Sequence, residues 1–286
     1  MSQPVPPPSA GAQQVCARHP DRATGLSCTR CGRPACPECL REASVGFQCV
    51  DCVGRTARQG RRGTTVAGAE PGSRPVVVPT LIAINVAVFV WTVVQAGSIQ
   101  DNWRSAVFQE TALVPTLVAY GDWWRLVTSG FLHIGPIHLL ANMLALWMLG
   151  RDVELVLGRG RFLALYVISL LGGSAAVMLF SGALQPVAGA SGAVFGLMGG
   201  LVVVLRRMRL PLSQALVVIG VNVAISFVVP NISIAGHAGG LVTGAAVTAA
   251  LVFAPPRNRG VVQVGALVGI VVVILALIAI AAAQLF

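Results

Sequence analysis

The chain has 286 residues, 55% of them hydrophobic and 10% charged, with a mean hydropathy of +0.78. That balance excludes a soluble globular chain, because apolar segments long enough to span a bilayer recur from residue 76 onward. The net charge of +10 comes from twenty arginines and no lysine, half of them before residue 75. Most of the others sit between apolar segments, and no aromatic residues interleave with them. We read the charge as membrane topology and anionic-lipid contact and expect no nucleic-acid partner.

Residues 1–15 are polar and proline-rich and are expected to be disordered. Met1 to Ala10 holds no hydrophobic core region, so no secretory signal is read there. The segment that follows is expected to stay in the cytosol, where thiols remain reduced. It holds all seven cysteines, in four pairs: Cys16-x2-His19, Cys28-x2-Cys31, Cys36-x2-Cys39 and Cys49-x2-Cys52. A two-residue spacer lets both side chains of a pair converge on one metal, and eight such ligands fit two tetrahedral Zn²⁺ sites. Disulfides are disfavoured by the odd cysteine count and the regular pairs.

The pattern resembles the B-box type of zinc finger. That resemblance implies cross-braced pairing, first pair with third and second with fourth; the spacing itself leaves sequential pairing open. Apolar residues are few (Leu26, Leu40, Val45, Phe47), so the 16–53 domain is expected to need its two structural zinc ions to fold. It is either a structural knob or, as we favour, a docking module for a cytoplasmic protein. Residues 54–75 read as an Arg/Gly-rich linker with five arginines, too polar to pack.

Seven spans are expected, at roughly 76–97, 136–150, 161–181, 189–206, 212–229, 236–254 and 262–283. With the N-terminus inside, the inner loops carry Arg151, Arg159, Arg161, Arg206, Arg207, Arg209, Arg257 and Arg259. The outer loops carry only Arg104 and Arg125, which is a positive-inside pattern. Ser191, His237, His138 and Asn142 then all fall near the outer ends of their spans.

The stretch Gly189 to Gly200, GASGAVFGLMGG, places Ser191 in the first turn of a helix, where unpaired N–H groups and the dipole favour negative charge. Gly192, Gly196 and Gly200 form one small-residue stripe, and Gly236, Gly240 and Gly244 form another beside His237. Such stripes serve mostly for close helix packing, and serine in a membrane mostly for interhelical hydrogen bonding. Ionisable groups inside a membrane are costly, however, and three histidines (His133, His138, His237) gather at one depth. His138 and Asn142 share a helix face and can donate to a developing oxyanion. His237 can take the Ser191 proton and return it to a leaving amine. No acidic residue lies at this depth within a span. A Ser–His dyad therefore fits better than a triad, unless Asp101, Glu110 or Asp122 folds in from the outer loop. Phe195 is placed either to cover the imidazole or simply to pack. The absence of HExxH weakens a zinc-protease reading, and the absence of internal repeats weakens a transporter reading.

From residue 76 on, the chain resembles the rhomboid intramembrane serine proteases. The matching pieces are Trp124-Arg125, His133, His138-Leu-Leu-Ala-Asn142, Gly150-x3-Glu154-x3-Gly158, Gly189-Ala-Ser191-Gly192 and Gly236-His237. The resemblance implies an all-α polytopic membrane protein: a six-helix core with a seventh C-terminal transmembrane helix over 76–286, preceded by the small zinc-binding domain. It implies Ser191 as nucleophile, His237 as general base, and His138, Asn142 and the Ser191 N–H as oxyanion donors. His133, Gly189, Phe195 and Gly236 would support the site, with no cofactor for catalysis. Substrates would be single-span proteins in the lipid bilayer, cut in or near their membrane segment. The expected location is a bacterial plasma membrane, with a cytoplasmic N-terminus and the site opening to the outside. A non-catalytic adaptor of the same fold is the competing reading, and the intact Ser191/His237 pair argues against it. Trp124 and Arg125 are expected to anchor the outer loop, Glu154 to pair with or cap an inner element, and Asn85 and Asn222 to bond between helices.

Overall fold

A computed structural model describes residues 14–59, 63–70, 72, 74–229 and 232–285. Most of the expected disordered N-terminus and two linker arginines, Arg61 and Arg62, lie outside the described residues. The chain divides into two compact units, 1–63 and 64–286.

The first unit is built from β1 (Val15–Cys16) paired antiparallel with β2 (His19–Ala23), and β3 (Leu40–Glu42) paired antiparallel with β4 (Phe47–Cys49). A helix α1 (Val50–Gln59) follows, so the segment expected to be linker begins as helix. Strands of two to five residues cannot bury a sheet face. Accordingly, the buried core is Cys16, Cys28, Cys36, Cys39, Cys49 and Cys52, joined only by Ala35 and Leu40 among the described residues. Of the other apolar side chains, Leu26, Val45 and Phe47 are exposed.

The second unit is helical. α2 (Val77–Ala96) leads into short helices α3 (Ala106–Thr111), α4 (Pro115–Ala119) and α5 (Arg125–Thr128). Six long helices complete it: α6 (Gly135–Leu157), α7 (Arg159–Phe180), α8 (Ser191–Met208), α9 (Ser213–Val228), α10 (Ile234–Val252) and α11 (Arg259–Ala283). Among the described residues, five helices (α2, α7, α8, α10, α11) are long and apolar enough to cross a membrane. A sixth crossing forms if Arg125–Phe131 and Gly135–Leu157, bent by 94°, count as one span.

Two expectations change here. The second span, expected to stop at 150, continues to Leu157 and takes Arg151, Asp152 and Glu154 into its last turns. The fifth, α9, has 16 residues, about 24 Å of helix, shorter than the roughly 30 Å hydrocarbon core.

Burial ranks the helices. In α7 67% of the span is buried, in α8 56%, but in α11 only 17%. The centre is therefore α7, α8 and α10. α2 starts without a capping side chain of its own, and Glu154 of α6 supplies one: its carboxylate accepts from the Val76, Val77 and Val78 N–H groups at 2.7, 2.9 and 2.9 Å. Three otherwise unpaired donors are thus satisfied by one charge at the positive end of a helix. Part of the expected linker also packs rather than staying free. Ala67 and Ala69 are buried, and the Ala67 carbonyl accepts from Gln263 of α11 at 3.0 Å.

Candidate active site

Glycine determines how the central helices meet. A Cβ on Gly240 would fall on the Gly192 carbonyl group, with the carbonyl carbon at 2.7 Å, and one on Gly244 would collide with Gly196. From the other side, a Cβ on Gly199 would strike the Leu241 carbonyl. The third helix joins in the same way: a Cβ on Gly173 of α7 would lie 2.9 Å from the Gly236 oxygen. These helices meet backbone to backbone, a distance no larger residue permits. The contacts advance together, Gly192 with Gly236 and Gly240, then Gly196 with Gly240 and Gly244, so α8 and α10 run parallel. Ser191 and His237 consequently begin adjacent helices at one end of the bundle.

At that end Ser191 is the first residue of α8, which has no side-chain cap. The N–H groups of its opening turn therefore have no intrahelical acceptor. His237 is buried, its ring stacked on Phe195 with centroids 4.0 Å apart and planes 16° apart. Its Nδ1 lies 2.8 Å from the Ser226 hydroxyl of α9. His138 accepts from the Ile134 N–H through Nδ1 at 3.3 Å, which leaves Nε2 as the protonated nitrogen of a neutral ring. Beside it, Gly189 holds φ at +135°, and the space a Cβ would fill there is 2.9 Å from His138 Nε2 and 3.6 Å from Ser191 Oγ. A glycine thus leaves open a point that both a donor and a hydroxyl face. A cavity of about 30 Å³ adjoins it, lined by Ser129, Gly189, Ser191, Ser233 and Gly236 among others, with room for a water.

His133 is packed behind His138, rings edge to face with centroids 5.1 Å apart, and its Nε2 is 3.5 Å from the Ala190 N–H. Asn142 shares the His138 helix face, but its amide donates back to the His138 carbonyl at 3.0 Å. One of its N–H bonds is therefore committed to its own helix. Two of the outer acids are engaged elsewhere: Asp122 pairs with Arg125 at 2.8 Å, and Asp101 receives the Ser98 hydroxyl at 3.4 Å.

Three further features position this end. Asn102, fully buried, donates to the His133 carbonyl at 2.7 Å and to Thr92 at 2.9 Å, and accepts from Gly135 N–H at 2.9 Å. It staples the bend that leads into α6. Arg125 is buried and ties the loop together through the Gln109 and Ala112 carbonyls at 2.8 Å, while Trp124 donates to the Glu110 carbonyl. Leu113 and Val187 bridge the loop to the segment before α8. Asn222, expected to bond between helices, instead donates to Val218 of its own helix, whereas Asn85 donates to Leu81 and its side chain also lies against the Tyr166 hydroxyl of α7. Ser226 and Asn102 were not singled out by sequence, since a lone serine or asparagine in an apolar or loop segment carries no spacing signal.

A larger cavity of about 690 Å³ lies at the other end of α6, lined by Arg74, Glu154, Arg159, Arg161 and Gln263 among others. It holds no hydroxyl–imidazole pair.

In the first unit the eight candidate ligands form two groups, Cys16/His19/Cys36/Cys39 and Cys28/Cys31/Cys49/Cys52, each with its ligand atoms within 4.8 Å of one another. The pairs combine first with third and second with fourth. His19 Nδ1 lies 3.8, 3.4 and 3.4 Å from the sulfurs of Cys16, Cys36 and Cys39, and the Cys31 and Cys49 sulfurs are 3.8 Å apart. Tetrahedral zinc with ordinary bond lengths requires S···N and S···S separations of about 3.6 and 3.8 Å. The residues fit metal ions. Backbone N–H groups, foremost those of Cys36 and Cys49, hold the Cys16 and Cys28 thiols down at about 6, while burial pushes Cys39 and Cys52 up to about 11.

Residues 120–255 match the Rhomboid domain family model. These residues are a rhomboid domain. The chain is 38% identical over 199 residues to Rhomboid protease GluP of Bacillus subtilis (strain 168), an alignment covering 68% of this chain and 38% of that one. It is 28% identical over 213 residues to Rhomboid protease AarA of Providencia stuartii, covering 63% and 74%. With RHOMBOID-like protein 5 of Arabidopsis thaliana it shares 36% identity over 141 residues, covering 46% and 45%. The chain thus spans less than half the length of GluP and of RHOMBOID-like protein 5. The matched rhomboid region contains His133, His138, Asn142, Ser191 and His237 and stops short of α11 and of the metal-binding unit.

Proposed function

We propose that this chain is an intramembrane serine endopeptidase that cuts transmembrane protein substrates in or near their membrane segments. The observation that carries the reading is the register of the two glycine stripes, which starts Ser191 and His237 side by side on parallel helices. Two relatives named as rhomboid proteases support it.

In this reading His237 Nε2 takes the Ser191 proton as Oγ attacks the scissile carbonyl. The developing oxyanion occupies the opening beside Gly189, facing His138 Nε2–H and the unpaired N–H groups of the first turn of α8. The remaining Asn142 N–H is a further donor. His237 then gives its proton to the departing amine, and a water from the adjoining cavity releases the acyl-enzyme. Phe195 holds the imidazole plane, and His133 supports His138 from behind. No step needs a cofactor.

The arginine distribution supports a multi-pass membrane protein with its N-terminus in the cytoplasm and Ser191 near the outer face; the bacterial relatives support a bacterial plasma membrane as its location. Substrates reach the groove laterally, past α9. The domain over 16–53, B-box-like and holding two structural zinc ions, docks a cytoplasmic protein; residues 54–75 connect it to the protease domain over 76–286.

The test is cleavage of a single-span reporter protein in proteoliposomes. Ser191→Ala is expected to abolish cleavage with expression unchanged. Cleavage retained by that variant ends the protease reading.

A further inference from the structure

Ser226 lies on α9, a helix that otherwise touches the bundle little. Of its sixteen residues only Ala215 and Ser226 are buried, and Leu216, Val217, Val221, Phe227 and Val228 face outward. Yet Ser226 Oγ is 2.8 Å from His237 Nδ1 and 2.8 Å from the Asn222 carbonyl oxygen. A hydroxyl has one proton, and a carbonyl oxygen can only accept, so that proton belongs to the Asn222 bond. Pointing it at the imidazole instead would set two oxygen lone pairs against each other at 2.8 Å. With its proton on the Asn222 carbonyl, Ser226 Oγ accepts from His237, an arrangement that puts the ring proton on Nδ1 and leaves Nε2 with its lone pair.

We propose that Ser226 is a positioning residue that fixes the base-competent tautomer of His237, so that the general base is set only while α9 is seated against α10. This rests on the dyad reading above. A buried donor without a partner is costly in this apolar surrounding. With α9 displaced, the Nδ1 proton has no such partner, and the two ring nitrogens compete for it. The helix that substrate passes thus also sets the state of the base: displaced it opens the groove, and reseated it arms His237. No acidic residue performs this task among the described contacts of the ring.

The experiment compares Ser226→Thr, Ser226→Val and Ser226→Ala with the full-length protein, reading kcat and KM for the single-span reporter in proteoliposomes. Threonine keeps an oxygen that can bond the carbonyl one turn back, and valine has the same shape without it. The expected result is kcat within about twofold for threonine and lower by on the order of tenfold for valine and alanine, with KM unchanged. Equal activity of the threonine and valine variants, or a threonine variant as impaired as valine, overturns the proposal. Ser226→Ala removes a single oxygen and decides the matter if the valine variant does not fold: wild-type kcat in alanine overturns it too. Ser191→Ala runs alongside. If that variant is inactive while Ser226→Ala is fully active, the tautomer proposal fails and the protease reading stands; if Ser191→Ala still cleaves, the protease reading itself has failed.

Discussion

The two units of this chain solve the same problem by opposite means. The first has almost nothing apolar to bury and gathers thiols and an imidazole, so its interior is a set of groups suited to bind metal ions. The second is mostly apolar, in a medium that gives helices no hydrophobic reason to associate, and removes side chains altogether where α8 meets α10. Cohesion in one would come from coordinate bonds to the metal ions its residues fit, and in the other it comes from backbone contact. The lesson is that a core can be specified by what a residue donates or by what it lacks.

Stripping the metal should separate the two units most sharply. A strong chelator is expected to abolish hydrogen-exchange protection over residues 14–59 while the helices of 77–283 keep theirs, because the metal affinity of such sites is itself folding free energy, on the order of 10 kcal/mol. Protection of 14–59 that survives complete metal removal would refute the contrast. Next comes Gly240→Leu, which drives a side chain into the Gly192 carbonyl. It should destabilise the helical unit by about 3 kcal/mol or more in detergent unfolding and eliminate reporter cleavage. Gly220→Ala, in α9 with open space around its Cβ position, should be neutral or stabilising by about 1 kcal/mol. Equal behaviour of the two would mean that the glycine contacts hold nothing. Smaller than the Gly240 effect is that of Glu154→Gln, expected to cost about 1–3 kcal/mol by weakening the three-donor cap on α2, with kcat unchanged. A loss of kcat at constant stability would place Glu154 in the chemistry instead.

Much of this was legible in spacing. Two-residue separations among cysteines give pairs of ligands, and four-residue separations among glycines give a flat helix face; both are local periods a sequence carries openly. The fate of each pair was not local. Which pairs share a metal depends on strands β1 to β4, and what Glu154 caps lies at Val76–Val78, far away in the chain. Asn222 was misjudged for a physical reason. Its amide reaches the carbonyl one turn back without any help from a neighbour, so a partner across helices is unnecessary. Ser226 and Asn102 were invisible because their roles exist only once α9 and the outer loop are folded over α10 and α6. The packing of Ala67 was missed because a polar, glycine-rich stretch can still bury its few methyl groups against a helix such as α11.

The most direct test of the central claim is phosphonylation of the full-length protein by a fluorophosphonate, mapped by mass spectrometry of the peptide containing Ser191. The account predicts an adduct on Ser191 that forms in the wild-type protein and is lost in His237→Ala. An adduct at another serine, or one on Ser191 that forms equally well without His237, would contradict it.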